Sequence, residues 1–195
     1  VTITADDKTK VYGTDDPELT ATVNGAVEGE TLSYTLSRVE GEDVGNYPIT
    51  VTAGENPNYT VTVVPGELEI TKAAMTDEQA NAEGFNVVYD GNMHSISIVN
   101  TIGATVSYRK DGEEVSSEAL NVADSLEGVE VTLTHPNYAD KTVIVDKIIT
   151  PKEVTITADD KTKVYGTDDP ELTATVNGAV EGETLSYTLS RVEGE

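Results

Sequence analysis

Cysteine and tryptophan are both missing from this 195-residue chain. Without cysteine there are no disulfides, no thiolate nucleophiles and no Cys–zinc sites. Phe85 is the sole phenylalanine, so any core must be built from Val, Ile, Leu and the nine Tyr. Basic residues are also scarce: 12 Lys and Arg against 36 Asp and Glu give a net charge of −24. No basic stripe is available to release counterions from phosphates, which argues against nucleic acid as a partner. Anionic membrane surfaces are disfavoured for the same reason. No stretch approaches the ~20 apolar residues that cross a bilayer, so this segment is not expected to insert into a membrane. No signal peptide is visible, and any export or anchoring signal is expected outside these residues. His94 and His135 are the only histidines and read as turn or edge residues, because no third His or Cys joins them to hold a transition metal. No Ser–His–Asp spacing is present, and a carboxylate pair for glycoside hydrolysis has no sequence handle. The chain is therefore read as non-catalytic.

What is present is a repeat. Val1–Glu42 recurs without a change as Val154–Glu195. Folding alone does not fix every surface residue, since exposed substitutions usually shift stability by only about half a kcal/mol, so the identity suggests recent duplication in a tandem array. The order reads A–B–A: residues 1–72 as unit A, 73–152 as a related unit B, and 153–195 as a shortened second copy of A. Half a sandwich leaves strand edges unpaired. The expectation is therefore a window on a longer array, with strand addition from another chain as the alternative.

In unit A, Val1, Ile3 and Ala5 alternate with Thr2 and Thr4, the period of a half-buried strand. Asp6-Asp7-Lys8-Thr9 is read as breaking that strand, and Lys10 to Pro17 as a polar turn around Tyr12. Leu19, Ala21 and Val23 predict a second strand closed by Asn24-Gly25, a hairpin pair. Leu32, Tyr34 and Leu36 predict a third. Asp43-Val44-Gly45-Asn46-Tyr47 is similar to the tyrosine corner of immunoglobulin-like sandwiches, continuing through Ile49, Val51 and Ala53. After Pro57-Asn58-Tyr59 come Val61 and Val63. Pro65-Gly66 suits a type II turn, and Leu68 and Ile70 close the unit.

In unit B, Thr76 and Gln79 suggest a short capped helical turn within Met75–Glu83. Val87-Val88-Tyr89-Asp90-Gly91 echoes Val11-Tyr12-Gly13, Lys110-Asp111-Gly112 signals a hairpin, and Pro136-Asn137-Tyr138 repeats Pro57-Asn58-Tyr59. Pro57 to Ile70 and Pro136 to Ile149 span the same distance, and both units end on Ile-Thr. Evenly spaced short strands of this kind predict an all-β fold: tandem immunoglobulin-like β-sandwich domains, which short linkers would hold as an extended rod.

Lys10-Val11-Tyr12-Gly13, Asp16-Pro17, Gly45-Asn46-Tyr47, Asn58-Tyr59 and Gly66 to Thr71 make unit A resemble the MBG-type domains with a Tyr-Gly motif. Unit B, with Val88-Tyr89-Asp90-Gly91, His94 and Asn137-Tyr138, is similar to the related Tyr-Asp-Gly repeats, although Gly128-Val129-Glu130 stands where the corner tyrosine would be. The resemblance implies tandem repeats of a large bacterial surface protein: the stalk of an adhesin or an extracellular fibre, at the cell surface, Gram-positive by expectation. The motif residues are Tyr12, Gly13, Tyr47, Tyr59, Tyr89 and Tyr138. Implied partners are neighbouring repeats or other copies of the protein, with a glycan or host-protein ligand as the alternative, or assembly into a filament by strand complementation. No cofactor is expected. Asp6, Asp7, Asp15 and Asp16, with their copies Asp159, Asp160, Asp168 and Asp169, read first as solvated turn carboxylates and, as the alternative, as oxygen ligands for calcium. The tyrosines read as core and corner residues before they read as a carbohydrate platform.

Overall fold

The computed structural model describes residues 1–194. The chain divides into two units, the first formed by Val1–Asn81, Val99–Ser107 and Thr132–Val143, the second by Ala82–Ile98, Tyr108–Val131 and the chain from Ile144 onward. Nearly all regular structure is β.

The first unit opens with β1 (Thr2–Ala5), β2 (Lys8–Val11), β3 (Ala21–Asn24), β4 (Tyr34–Arg38), β5 (Gly45–Ala53), β6 (Thr62–Val64) and β7 (Gly66–Thr71). They form two sheets, ordered β3-β1-β6 and β2-β7-β5-β4. Strand alternation explains which side chains turn inward. Ile3 and Ala5 are buried on β1, Ile49 and Val51 on β5, and Leu68 and Ile70 on β7, while Glu67 and Glu69 point out. With Leu32, these residues of both sheets share one buried cluster, and Tyr12, Tyr34, Tyr47 and Tyr59 pack around it. This is a β-sandwich whose two inner faces close on each other.

Four local expectations are corrected by the structure. Lys8–Val11 continues as a strand rather than a break, because β7 supplies a partner for it. Asn24-Gly25 does turn, with Gly25 at φ +88°, yet the chain then crosses to the other sheet, so no β3–β4 hairpin forms. Pro65-Gly66 is not a type II turn. Gly66 lies in β7, and the chain switches sheets at Pro65. A Cβ on Gly66 would stand 2.6 Å from the Ala5 carbonyl oxygen, so the close approach of β1 explains the glycine. Met75–Glu83 holds a single turn, with the Thr76 amide donating to Gln79 Oε1 at 3.0 Å, before β8 begins. The capping contact exists without the helix.

The chain continues through β8 (Ala80–Glu83), β9 (Phe85–Val88), β10 (His94–Ser95), β11 (Ser97–Asn100), β12 (Thr105–Lys110), β13 (Glu113–Glu114), β14 (Glu118–Ala119), β15 (Leu126–His135) and β16 (Tyr138–Thr150), with a 3-10 turn at Val122–Asp124. One five-stranded sheet runs β13-β12-β15-β16-β9. The expected turn at Lys110-Asp111-Gly112 joins β12 to β13, with Asp111 at φ +51° and Gly112 at φ +86°, both in the left-handed region that a tight hairpin requires.

The second copy of the identical block folds differently. β17 (Thr155–Ala158) and β18 (Ala174–Asn177) pair in the same register as β1 and β3. The counterparts of β2 and β4, at 161–164 and 187–191, are not strands. Among the described residues they have no counterpart of β7 or β5 beside them. Ile156 is accordingly 39% exposed, where Ile3 is fully buried.

Candidate functional site

The same parallel pairing of an early strand with a later one occurs in both units. In the first unit β2 runs parallel to β7, pairing Lys10 with Ile70 and Val11 with Thr71. In the second unit β9 runs parallel to β16, pairing Val87 with Ile149 and Val88 with Thr150. Each pairing is extended by the motif tyrosine. The Tyr12 amide donates to Thr71 O at 2.8 Å, and the Tyr89 amide to Thr150 O at 2.8 Å. Each closing threonine reaches back, Thr71 Oγ1 to Lys10 O and Thr150 Oγ1 to Val87 O, both at 3.2 Å. The Val-Tyr motif and the closing Ile-Thr are thus two sides of one clamp.

Beside the first clamp lies a knot of charge. Lys10 is an inward residue of β2 and only 8% exposed. Its Nζ donates to Asp16 Oδ1 at 2.7 Å and to Glu42 Oε2 at 2.6 Å. Arg38, at the end of β4, reaches the same two carboxylates, Asp16 through Nε at 2.5 Å and Glu42 through Nη2 at 2.5 Å. A buried ammonium costs free energy unless it is paired and hydrogen-bonded, and here two carboxylates satisfy it. The Arg38 guanidinium, then Lys10, hold the Asp16 carboxyl at about 2, below its ordinary 3.8. Glu42 is lowered by Lys10 and Arg38, and Lys10 is raised by Asp16 and Glu42.

The tyrosine corner forms as its sequence implies: Tyr47 Oη donates to Asp43 O at 2.8 Å. Arg38 Cζ sits 5.7 Å from the Tyr47 ring centroid, so the corner leans on the charge knot. Further along the first unit, Asn137 closes on the same loop. The Val44 amide donates to Asn137 Oδ1 at 3.0 Å, and Asn137 Nδ2 donates to Asp43 Oδ1 at 2.7 Å. Asn137 is 8% exposed, so this two-way clasp is largely shielded from water. Tyr138 stacks edge-on against Tyr12, centroids 5.4 Å apart, and against His135 at 5.2 Å.

The four acids named from sequence do not gather. Asp6 accepts from Thr20 and Thr22, latching β1 to β3. Those hydroxyls, Thr20 first, lower its pKa. Asp159 repeats the latch with Thr173 and Thr175. Asp7 Oδ1 accepts the Glu67 amide at 2.8 Å. Asp15 is exposed, and Asp16 belongs to the charge knot. Among the described residues no group of three or more His, Asp or Glu stands ready to hold a metal ion. His94 lies on β10 beside Asp90, at 3.0 Å. Asp90 is held at about 2 by the Asn92 amide first and His94 next. Tyr59 Oη bonds Glu30, whereas the corresponding Glu183 of the second copy is bonded by Tyr89. Gly13, at φ +81°, makes the left-handed bend after Tyr12.

Lys10, Arg38, Glu42 and the Asp43–Asn137 pair escape a reading of the sequence alone. One signal is available for the knot: an inward strand position occupied by lysine needs a nearby carboxylate. No local signal points to the clasp, whose partners lie 94 residues apart.

Among the described residues no helix is long and apolar enough to cross a membrane. No curated protein matches the chain. Solved structures with similar architecture include extracellular domains 3–5 of Drosophila OTK, at 15% identity and TM-score 0.31, covering 69% of this chain and 49% of that one. The chain thus spans about half the length of that three-domain fragment. The I67–I69 fragment of the titin I-band shows 12% identity and TM-score 0.35, with 89% of this chain and 85% of that chain covered. Titin domains Z1Z2, in complex with telethonin, show 14% identity and TM-score 0.32, with 76% and 94% covered. A family model described as the MBG domain (YGX type) matches residues 1–69 and 154–195, more than half of the sequence. Both matched stretches carry the Tyr-Gly motif, as Tyr12-Gly13 and Tyr165-Gly166, and the chain belongs to the MBG domain (YGX type) family.

Proposed function

We propose that the chain is a tension-carrying stalk segment of a bacterial cell-surface adhesin or extracellular fibre, with no catalytic role. The observation that supports this is the parallel pairing of β2 with β7 and of β9 with β16. Tension loads β1 first, through its pairing with β3 and β6; once passed on, it pulls β2 back by its N-terminal end and β7 forward by its C-terminal end. Parallel neighbours pulled this way slide along each other, so their evenly spaced hydrogen bonds are strained together. An antiparallel hairpin pulled at its open ends would lose its bonds singly, in succession. The high negative charge favours keeping neighbouring stalks apart in water. Partners in this reading are neighbouring repeats and other copies of the protein.

Single-molecule pulling on the chain, flanked by marker domains, tests the reading. The expected trace shows a resistant rupture that releases roughly 200 Å, the extended length of Lys8 to Thr71 at about 3.3–3.6 Å per residue. Gradual lengthening without a force peak would refute a mechanical role for the clamp.

A further inference from the structure

The alternation of β16 turns Lys147 inward, where it is only 3% exposed. Aligning the two Pro-Asn-Tyr turns, which also aligns Ile70 with Ile149, places Lys147 at the position of Leu68, a fully buried core residue. A charged side chain therefore stands where the sister repeat has leucine. An ammonium offers three donors. One goes to Glu118 O at 2.8 Å, and no ion pair holds Lys147 among the described residues. Asp124, the acid whose charge reaches it, already accepts the amides of Leu120 and Asn121 at 3.1 and 2.9 Å.

Lys147 lines an open pocket of about 450 Å³ whose apolar wall is Met93, Val115, Ala119, Leu120, Ala123 and Leu126, with Ser116, Glu118 and Asp124 as its other polar lining. That volume falls within the range of about 300–1,000 Å³ usual for small-ligand sites. Burying an ammonium with one carbonyl partner is unfavourable unless something else completes its hydrogen bonds. An anion with a hydrocarbon body would supply both the missing acceptor and the matching apolar surface.

We infer that this pocket binds a small amphiphilic carboxylate, with its carboxylate on Lys147 Nζ and its hydrocarbon body against Met93, Ala119 and Leu126. The site is independent of the stalk reading.

The test is an amide chemical-shift titration of the isotope-labelled whole chain with hexanoate, and in parallel with hexanamide and hexylammonium. Saturable shifts at Ala119, Leu120 and Lys147 with hexanoate are expected. Hexanamide should bind about tenfold more weakly or worse, for want of the charge-assisted bond. Lys147→Leu, which copies Leu68, should keep the fold and lose hexanoate by a similar factor; Lys147→Met carries the same test if the leucine variant does not fold. Equal binding of the three probes, an affinity unchanged in the variants, or no saturable shift with hexanoate would each overturn the site.

Discussion

Arg38 connects three features through one side chain: the carboxylates of Asp16 and Glu42, the carbonyls of Val39 and Gly41, and the face of Tyr47. A planar guanidinium can meet all of these at once and a lysine ammonium cannot. Arg38→Lys is therefore expected to lower the melting temperature although charge is conserved, and thermal melts of the two chains decide it. Gly41 tests the same corner sterically. A Cβ there would stand 2.1 Å from Tyr47 Cε1, so Gly41→Ala should cost about 1–3 kcal/mol, the usual range for overpacking, read by urea denaturation. The knot also makes a prediction about acid. The Asp16 pKa is depressed from 3.8 to about 2 in the folded chain. The unfolded chain then takes up a proton more readily, so the contribution of Asp16 is intact above about pH 4 and is lost as pH falls toward 2. Asp16→Asn should flatten the stability curve in that window. An unchanged acid limb would mean that the pairing contributes nothing.

At the level of elements, the clamp strands depend on their partners. Lys8–Val11 is a strand beside β7, while the same residues at 161–164 are not. That is why β2 is hard to read from sequence: its one buried residue is Lys10, so no apolar alternation marks it. β1, β5 and β7 are legible because Ile and Val alternate with Thr and Glu. The type II turn expected at Pro65-Gly66 fails because the glycine answers to the backbone of β1, a contact far away in sequence. The tyrosines are recognisable as corner and motif residues, but sequence does not reveal that Tyr12 and Tyr89 extend two equivalent clamps. Tyr12→Pro removes the amide that donates to Thr71 O, while Tyr12→Ala removes only the side chain. In pulling experiments the proline variant should rupture at distinctly lower force than the alanine variant. Equal forces would show that the ring, rather than the clamp, carries the resistance.

For the whole molecule, the net charge of −24 sets the response to salt. Self-repulsion acts against the compact state and is screened beyond a Debye length of about 10 Å at 0.1 M salt. Twelve basic residues cannot neutralise thirty-six acids, so the melting temperature should rise from low to physiological salt. A fall would mean that the paired knot outweighs the repulsion. The repeat is fully legible in the sequence, whereas the Asp43–Asn137 clasp is not, since two polar residues so far apart leave no periodic trace.

The order of the strands in the first unit also bears on how such a chain is made. β1 and β3 can pair as soon as both exist, but β2 and β4 must wait for β5 and β7. A ribosome adds about 5–20 residues per second, so β1 and β3 precede β5 and β7 by seconds, and β2 and β4 stay unpaired for that time. The closing Ile70-Thr71 therefore acts as a late fastener, because it is the last of these residues to be made and it pairs with Lys10 and Val11.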